Sequence, residues 1–137
     1  MKILFDTNVL VAAFATRGIC NSLFEHTLEN CDIVISEFIL DELKRTLIEK
    51  FKIAEDKTIE IINFLKSSCE ISEHKEFENQ ISRDPNDDPI LGIIDKTNID
   101  FLVTGDNDLL ILKTYKNIPI ISPRELWEEF RKLKIEV

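Results

Sequence analysis

The sequence predicts a single α/β domain over residues 1–137, with a mainly parallel central β-sheet flanked by helices. Three observations lead there. Short apolar runs rich in β-branched residues alternate with stretches of helical period, the order that builds βα units and parallel strands. The 137 residues suffice for one domain with a real core. Only 3 Gly and 4 Pro are present, so long loops should be few.

Ile3, Leu4 and Phe5 read as a buried strand ended by Asp6. Residues 9–14 and 20–28 carry helical spacing, broken by Thr16, Arg17 and Gly18. Residues 32–36 form a second strand, and Ser36 stands where a helix N-cap belongs, ahead of a helix over 37–51. Another helix is expected over 55–68, then a short extended piece at 69–71 and a polar stretch over 73–86. Asp88-Pro89 opens a helix reaching Thr97, with Pro at the first helical position. Residues 101–104 form a strand closed by Gly105-Asp106, and 118–122 form the last strand. There Pro119 argues for an edge or a strand start. Ser122-Pro123 begins a terminal helix carrying Leu126, Trp127, Phe130 and Leu133. Trp127 and Phe130, at helical spacing, read as core.

Composition narrows the function classes. No apolar run is long enough to span a membrane, and Asp6 interrupts the N-terminus too early for a secretory signal, so a cytoplasmic protein without membrane association is expected. Cys20, Cys31 and Cys69 are odd in number, far apart and without Cys-x-x-Cys spacing; they read as small buried hydrophobes rather than a disulfide framework or zinc site. His26 and His74 lack a second ligand at metal spacing. The net charge is −9 and the pI near 4.7, the opposite of a protein that coats phosphates with a basic face. Either nucleic acid is not the ligand, or part of the negative charge binds divalent cations that then meet phosphates. Lys44, Arg45, Lys50, Lys52 and Lys57 form a local basic rim near one helix end.

Ligands of open parallel sheets bind beyond the carboxyl ends of the strands. Asp6 is the first polar residue after the first strand, and Asp106 follows the strand ending at Thr104, with Asp108 two positions on. Asp88 opens the helix leading into that strand. Glu42 lies about 9 Å along the helix that follows Ser36. Acids from distant segments can thus converge on one sheet end. Mg²⁺ and Mn²⁺ prefer such hard oxygen ligands, and a metal-activated water can attack phosphorus in line. The acids also repel one another, so the cluster costs stability without a counterion. Periodicity does not choose between Asp41 and Glu42, both off the Ile39-Leu43-Leu47 stripe. Asp84 and Asp87 compete with Asp88, which could also be only an N-cap; Asp106 and Asp108 could be turn residues.

Four segments together carry a resemblance: Phe-Asp6-Thr7-Asn8-Val-Leu, Leu-Asp41-Glu42-Leu, Asp84-Pro-Asn-Asp87-Asp88-Pro-Ile-Leu and Val-Thr104-Gly105-Asp106-Asn107-Asp108-Leu-Leu. In order, and with the closing Ile-Ser-Pro-Arg-Glu, they resemble the successive motifs of the PIN-domain nucleases, in particular the toxins of type II toxin–antitoxin systems. The likeness spans nearly the whole chain. It implies a Mg²⁺- or Mn²⁺-dependent endoribonuclease, often dimeric and often held inactive by an antitoxin protein. It makes Asp6, Glu42, Asp88 and Asp106 the catalytic, metal-binding quartet, with Asp108 as auxiliary metal ligand and Asn8 and Thr104 supporting through hydrogen bonds. The resemblance also favours Glu42 over Asp41 and Asp88 over Asp87. A haloacid-dehalogenase-like phosphatase would need Asp-x-Asp where Asp6-Thr7-Asn8 stands, and a receiver domain an adjacent acidic pair there. The alternative on the same fold is a non-catalytic RNA-binding or interaction module.

Overall fold

The computed structural model describes residues 1–72 and 88–133. In chain order the elements are β1 (Lys2–Phe5), α1 (Thr7–Ala15), α2 (Ile19–Asn30), β2 (Asp32–Ser36), α3 (Glu37–Glu49), α4 (Glu55–Ser68), β3 (Glu70–Ser72), α5 (Asp88–Lys96), β4 (Phe101–Val103), α6 (Asn107–Leu110), β5 (Thr114–Tyr115), β6 (Ile118–Ile121) and α7 (Pro123–Lys132). The six strands lie in the order β3-β2-β1-β4-β6-β5. All pairings are parallel except β5 with β6. The expected mainly parallel sheet is therefore what forms.

The order of the strands locates the site. From β1 the chain builds outward through β2 and β3 on one side, then crosses back to lay β4 on the other. Between β1 and β4 the winding reverses, which opens a crevice at the carboxyl ends of those two strands. Their register pairs Phe5 with Val103, so the residues that follow, Asp6 and Thr104, leave the sheet side by side. The strands themselves are apolar because both faces are covered: Ile3, Leu4, Phe5, Val34, Ile35, Leu102 and Val103 have no accessible surface.

Local chemistry explains the helices. Ser36 accepts a hydrogen bond from the Ile39 N–H at 3.2 Å, so α3 starts where the strand stops. Ile39, Leu40, Leu43 and Leu47 then bury one face of α3, at three- and four-residue spacing. Ser122 and Glu125 form a reciprocal capping box at α7, with Pro123 in its first turn. Leu126 and Phe130 of α7 are buried against α2, where His26 stacks on Trp127 and Phe130 at 5.3 and 5.0 Å between ring centroids. Phe130 is core as expected, whereas Trp127 is half-buried. The three cysteines are free and half-buried, packed against the core rather than within it.

Three details depart from the sequence expectation. The strand expected over 101–104 ends at Val103, although the Thr104 N–H still donates to the Ile121 carbonyl at 2.9 Å. One-turn α6 and the two-residue β5 were not anticipated. The β5–β6 hairpin closes through Lys116 and Asn117, both at positive φ (50° and 69°), a primed turn made without glycine. Consequently Pro119, at the second residue of β6, marks a strand start and not the sheet edge, which β5 supplies. His74, Asp84 and Asp87 lie outside the described residues. Among the described residues no helix is long and apolar enough to cross a membrane.

Candidate functional site

The crevice at the ends of β1 and β4 is an open cleft of about 470 Å³, reached by Asp6, Asn8, Glu42 and Asp106. Asp6 is at its floor, only 5% exposed. It is positioned from three sides. Its own N–H donates to the Val103 carbonyl at 3.0 Å, extending the sheet register by one residue. Its carboxylate caps α1, accepting from the Thr7 N–H at 2.7 Å. Its second oxygen accepts from the Thr104 hydroxyl at 2.7 Å and from the Asn8 amide at 3.3 Å.

Thr104 and Asn8 join the two loops. The buried Thr104 hydroxyl also accepts from the Asp106 N–H at 3.0 Å, and the Asn8 carbonyl oxygen accepts from the Gly105 N–H at 3.1 Å. Asp106 in turn caps α6 by accepting from the Asp108 N–H at 2.9 Å. The turn-residue and cap readings of Asp106 are thus both part of its geometry. Asp106 lines the cleft; Asp108 is not among the lining residues.

The structure separates Glu42 from Asp41. Glu42 lines the cleft and accepts from the Thr7 hydroxyl at 2.8 Å, while Asp41 is exposed to solvent. Thr7 was missed by sequence reasoning, although a hydroxyl beside the first acid at a helix start is a readable signal. Thr46, Lys50 and Phe51 also line the cleft and were not expected to. For Thr46 and Lys50 the signal was the four-residue spacing from Glu42; Phe51, just past the helix end, gave none. Of the basic rim, Lys50 alone lines this cleft; Arg45 lines an adjoining groove, and Lys44, Lys52 and Lys57 are exposed. Asp88 begins α5, and two residues on Ile90 lines the cleft. The side chain of Asp88 lies outside the described part of the structure.

Electrostatics mark Asp6. Burial pushes its carboxyl from the ordinary 3.8 up to about 6, against the lowering effect of the Thr104 and Thr7 hydrogen bonds, and the nearby charges of Glu42 and Asp106 raise it further. A buried acid beside other acids is a poor choice for stability alone.

Whether these residues suit a hard divalent cation is a question of donor chemistry. Three donors occupy Asp6, and a carboxylate offers about four lone-pair sites, so accepting capacity is left in the cleft. Glu42 and Asp106 add oxygen ligands of the same kind, and a cation would offset the burial cost, and the smaller repulsion, that lift the Asp6 pKa. The donor set fits. Among the described residues, however, no three acidic, His or Cys side chains are already gathered closely enough to hold an ion.

Comparison with known proteins bears on the family and the fold. A family model described as PIN domain matches residues 2–108, the stretch holding all the acids above. No curated protein matches the chain. Among solved structures, the crystal structure of VapBC2 from Rickettsia felis bound to a DNA fragment from their promoter contains a chain of the same fold. The TM-score is 0.63 at 19% identity, covering 89% of this chain and 98% of that one.

Proposed function

The chain belongs to the PIN-domain family, and from that premise we propose that it is a divalent-metal-dependent endoribonuclease, the toxin of a toxin–antitoxin pair. PIN domains are in general nucleases. The observation that carries the finer reading is Asp6, a buried carboxyl raised to about 6 and flanked by Glu42 and Asp106 at the switch point of the sheet.

In this reading Asp6, Glu42 and Asp106 would hold Mg²⁺ or Mn²⁺, with Asp88 as the fourth acid and Asp108 as an auxiliary by family resemblance. When bound, the cation would supply Lewis acidity for activating water and offsetting phosphate charge. The chain's own residues do the positioning. Thr104 and Asn8 fix the Asp6 carboxylate, Thr7 aims Glu42, and the α6 cap orients Asp106. Because both loops hang from adjacent strand ends, Asp6 and Asp106 start from neighbouring backbone positions.

The antitoxin partner in this proposal is extended from the VapBC2 assembly, whose likeness to this chain is one of fold. A segment presenting Arg would suit the unneutralised acids, since a guanidinium fork matches paired carboxylates. A second copy of the chain is the other proposed partner, from the family resemblance. The test is cleavage of a labelled single-stranded RNA with Mg²⁺, Mn²⁺ or EDTA. Cleavage only with metal is expected. Undiminished cleavage in EDTA would overturn the reading, and tight RNA binding without cleavage would turn it into a non-catalytic binding module.

A further inference from the structure

We propose that the C-terminal end of α3 forms a nucleotide subsite beside the acids, with Phe51 taking the face of an unpaired base and Lys50 the phosphate adjoining the scissile one. The assignment of that neighbouring phosphate rests on the nuclease reading; the subsite itself rests on the following geometry. Glu42, Thr46 and Lys50 stand at four-residue steps, so they form one stripe along α3, and all three line the cleft that contains Asp6 and Asp106. From Glu42 to Lys50 the helix rises about 12 Å, at 1.5 Å per residue. Along that track the lining changes from carboxylate to hydroxyl to ammonium. The same three residues border the adjoining groove with Phe38, Arg45 and Glu49, so the track runs on beyond the cleft that holds Asp6.

Phe51 is held in place there. Beyond the end of α3, Lys52 adopts a left-handed φ of 56°, and the Ile53 N–H reaches back to the Leu47 carbonyl at 3.0 Å. The bond spans six residues, one more than a Schellman return bond, and the Phe51 N–H reaches the Thr46 carbonyl at 3.3 Å, so this stop is a wider turn, with Lys52 where Gly is usual. It turns the chain so that Phe51 borders the cleft while staying 38% exposed. The Lys50 ammonium sits 6.0 Å from the Phe51 ring centroid, and among the described residues no carboxylate lies within ion-pair distance of it.

These properties select a ligand class. In a chain of net charge −9, an ammonium at the lip of an acidic cleft with no ion-pair partner among the described residues is where a polyanion gains most from contact. An aromatic face accepts any base, but only one whose own face is free. Bases in a duplex are covered on both faces by their neighbours. The subsite therefore fits single-stranded nucleic acid, and it makes strandedness, rather than base identity, the property that is read.

The experiment uses the full chain, a fluorescent single-stranded 12-mer RNA, and the variants Phe51→Leu, Phe51→Trp and Lys50→Gln, each confirmed folded by its melting curve. Binding is followed by anisotropy with Ca²⁺ and again with EDTA, and cleavage with Mg²⁺. Phe51→Leu should weaken binding about tenfold while Phe51→Trp preserves it. Lys50→Gln should weaken binding and lower the salt slope by about 0.7, one single-strand phosphate contact. In cleavage both losses should appear in KM rather than kcat. Binding by Phe51→Leu and Lys50→Gln equal to the parent, or no binding of the 12-mer by the parent in either condition, overturns the subsite. So does competition by a fully paired duplex as effective as that by the single strand. Phe51-dependent binding without any cleavage would defeat the nuclease reading and leave the subsite standing. Cleavage with unchanged KM in both variants would do the reverse.

Discussion

Two aspartates with buried side chains show how differently one fold can treat the same residue. Asp95, on α5, has a side chain only 5% exposed, and it is neutralised: Lys116 of the β5–β6 turn pairs with it and the Tyr115 hydroxyl lies 3.5 Å away. Asp6, buried as a whole residue, is surrounded by hydrogen-bond donors but has no cationic partner among the described residues. Its charged neighbours are Glu42 and Asp106. One acid fastens a hairpin to a helix. The other is held rigidly in an environment that opposes its own charge, which is the signature of a site waiting for a positive ligand.

The largest expected effect follows from exchanging each acid for its amide. Asp6→Asn should reduce RNA cleavage by orders of magnitude. In metal-free buffer at pH 7 it should melt no lower than the parent and gain about 1 kcal/mol, since removing the buried charge offsets a lost hydrogen bond to Thr104. Mg²⁺ should raise the melting temperature of the parent and much less that of the variant. Asp95→Asn should do the opposite, lowering the melting temperature and leaving cleavage intact. Melting curves of the three proteins with and without Mg²⁺ decide it; a large metal-independent fall for Asp6→Asn would make Asp6 a structural acid like Asp95.

The pH dependence sharpens the contrast. The Asp6 carboxyl titrates near 6 in the folded protein against 3.8 when unfolded, so between those values the native state holds the extra proton. Its contribution to stability is fully present below about 3.8 and is lost as pH rises through about 6. A shift of that size corresponds to a loss on the order of 2–3 kcal/mol. Other acids superimpose their own trends, so the quantity to measure is the difference between parent and Asp6→Asn in EDTA from pH 4 to 7. That difference should move in favour of the variant as pH rises. A pH-independent difference would show that burial does not oppose the Asp6 charge.

A smaller effect is expected at the joint between the loops. Thr104→Val keeps the shape and removes the hydroxyl that serves both Asp6 and the Asp106 N–H, at a cost of about 1–2 kcal/mol, and cleavage should fall with it. Thr104→Ser should restore both; failure of Ser to rescue would mean that the methyl group, not the hydroxyl, matters. The smallest effect is expected at Gly105→Ala. A Cβ there would meet the Asn8 carbonyl oxygen at 3.6 Å, an ordinary contact, and the backbone φ is not positive. The melting temperature should move by no more than about 0.5 kcal/mol allows. A large loss would reveal a closer approach of the two loops than the structure shows.

Much of this was legible in the residues themselves. The order of strands and helices, the Ser36 and Ser122 caps, the α3 stripe and the first polar residue after each central strand are local patterns, written within a few neighbouring positions. Asp6 and Asp106 could be placed near one sheet end for that reason. The β5–β6 hairpin was illegible because its turn uses Lys116 and Asn117 in place of the glycine that usually announces positive φ. One-turn α6 is too short to show a period.

The alternation of apolar and helical segments by itself determined an α/β sheet, and the spacing of acids after its strands determined that an oxygen-rich site was possible. Tertiary structure decided which groups share it. Only the reversal between β1 and β4 sets Asp6 beside Thr104, 98 residues away in sequence. The turn of α3 across the sheet brings Glu42, and not Asp41, to the Thr7 hydroxyl. Charge repulsion and desolvation depend on distance and burial, and sequence spacing measures neither until the chain has folded back on itself.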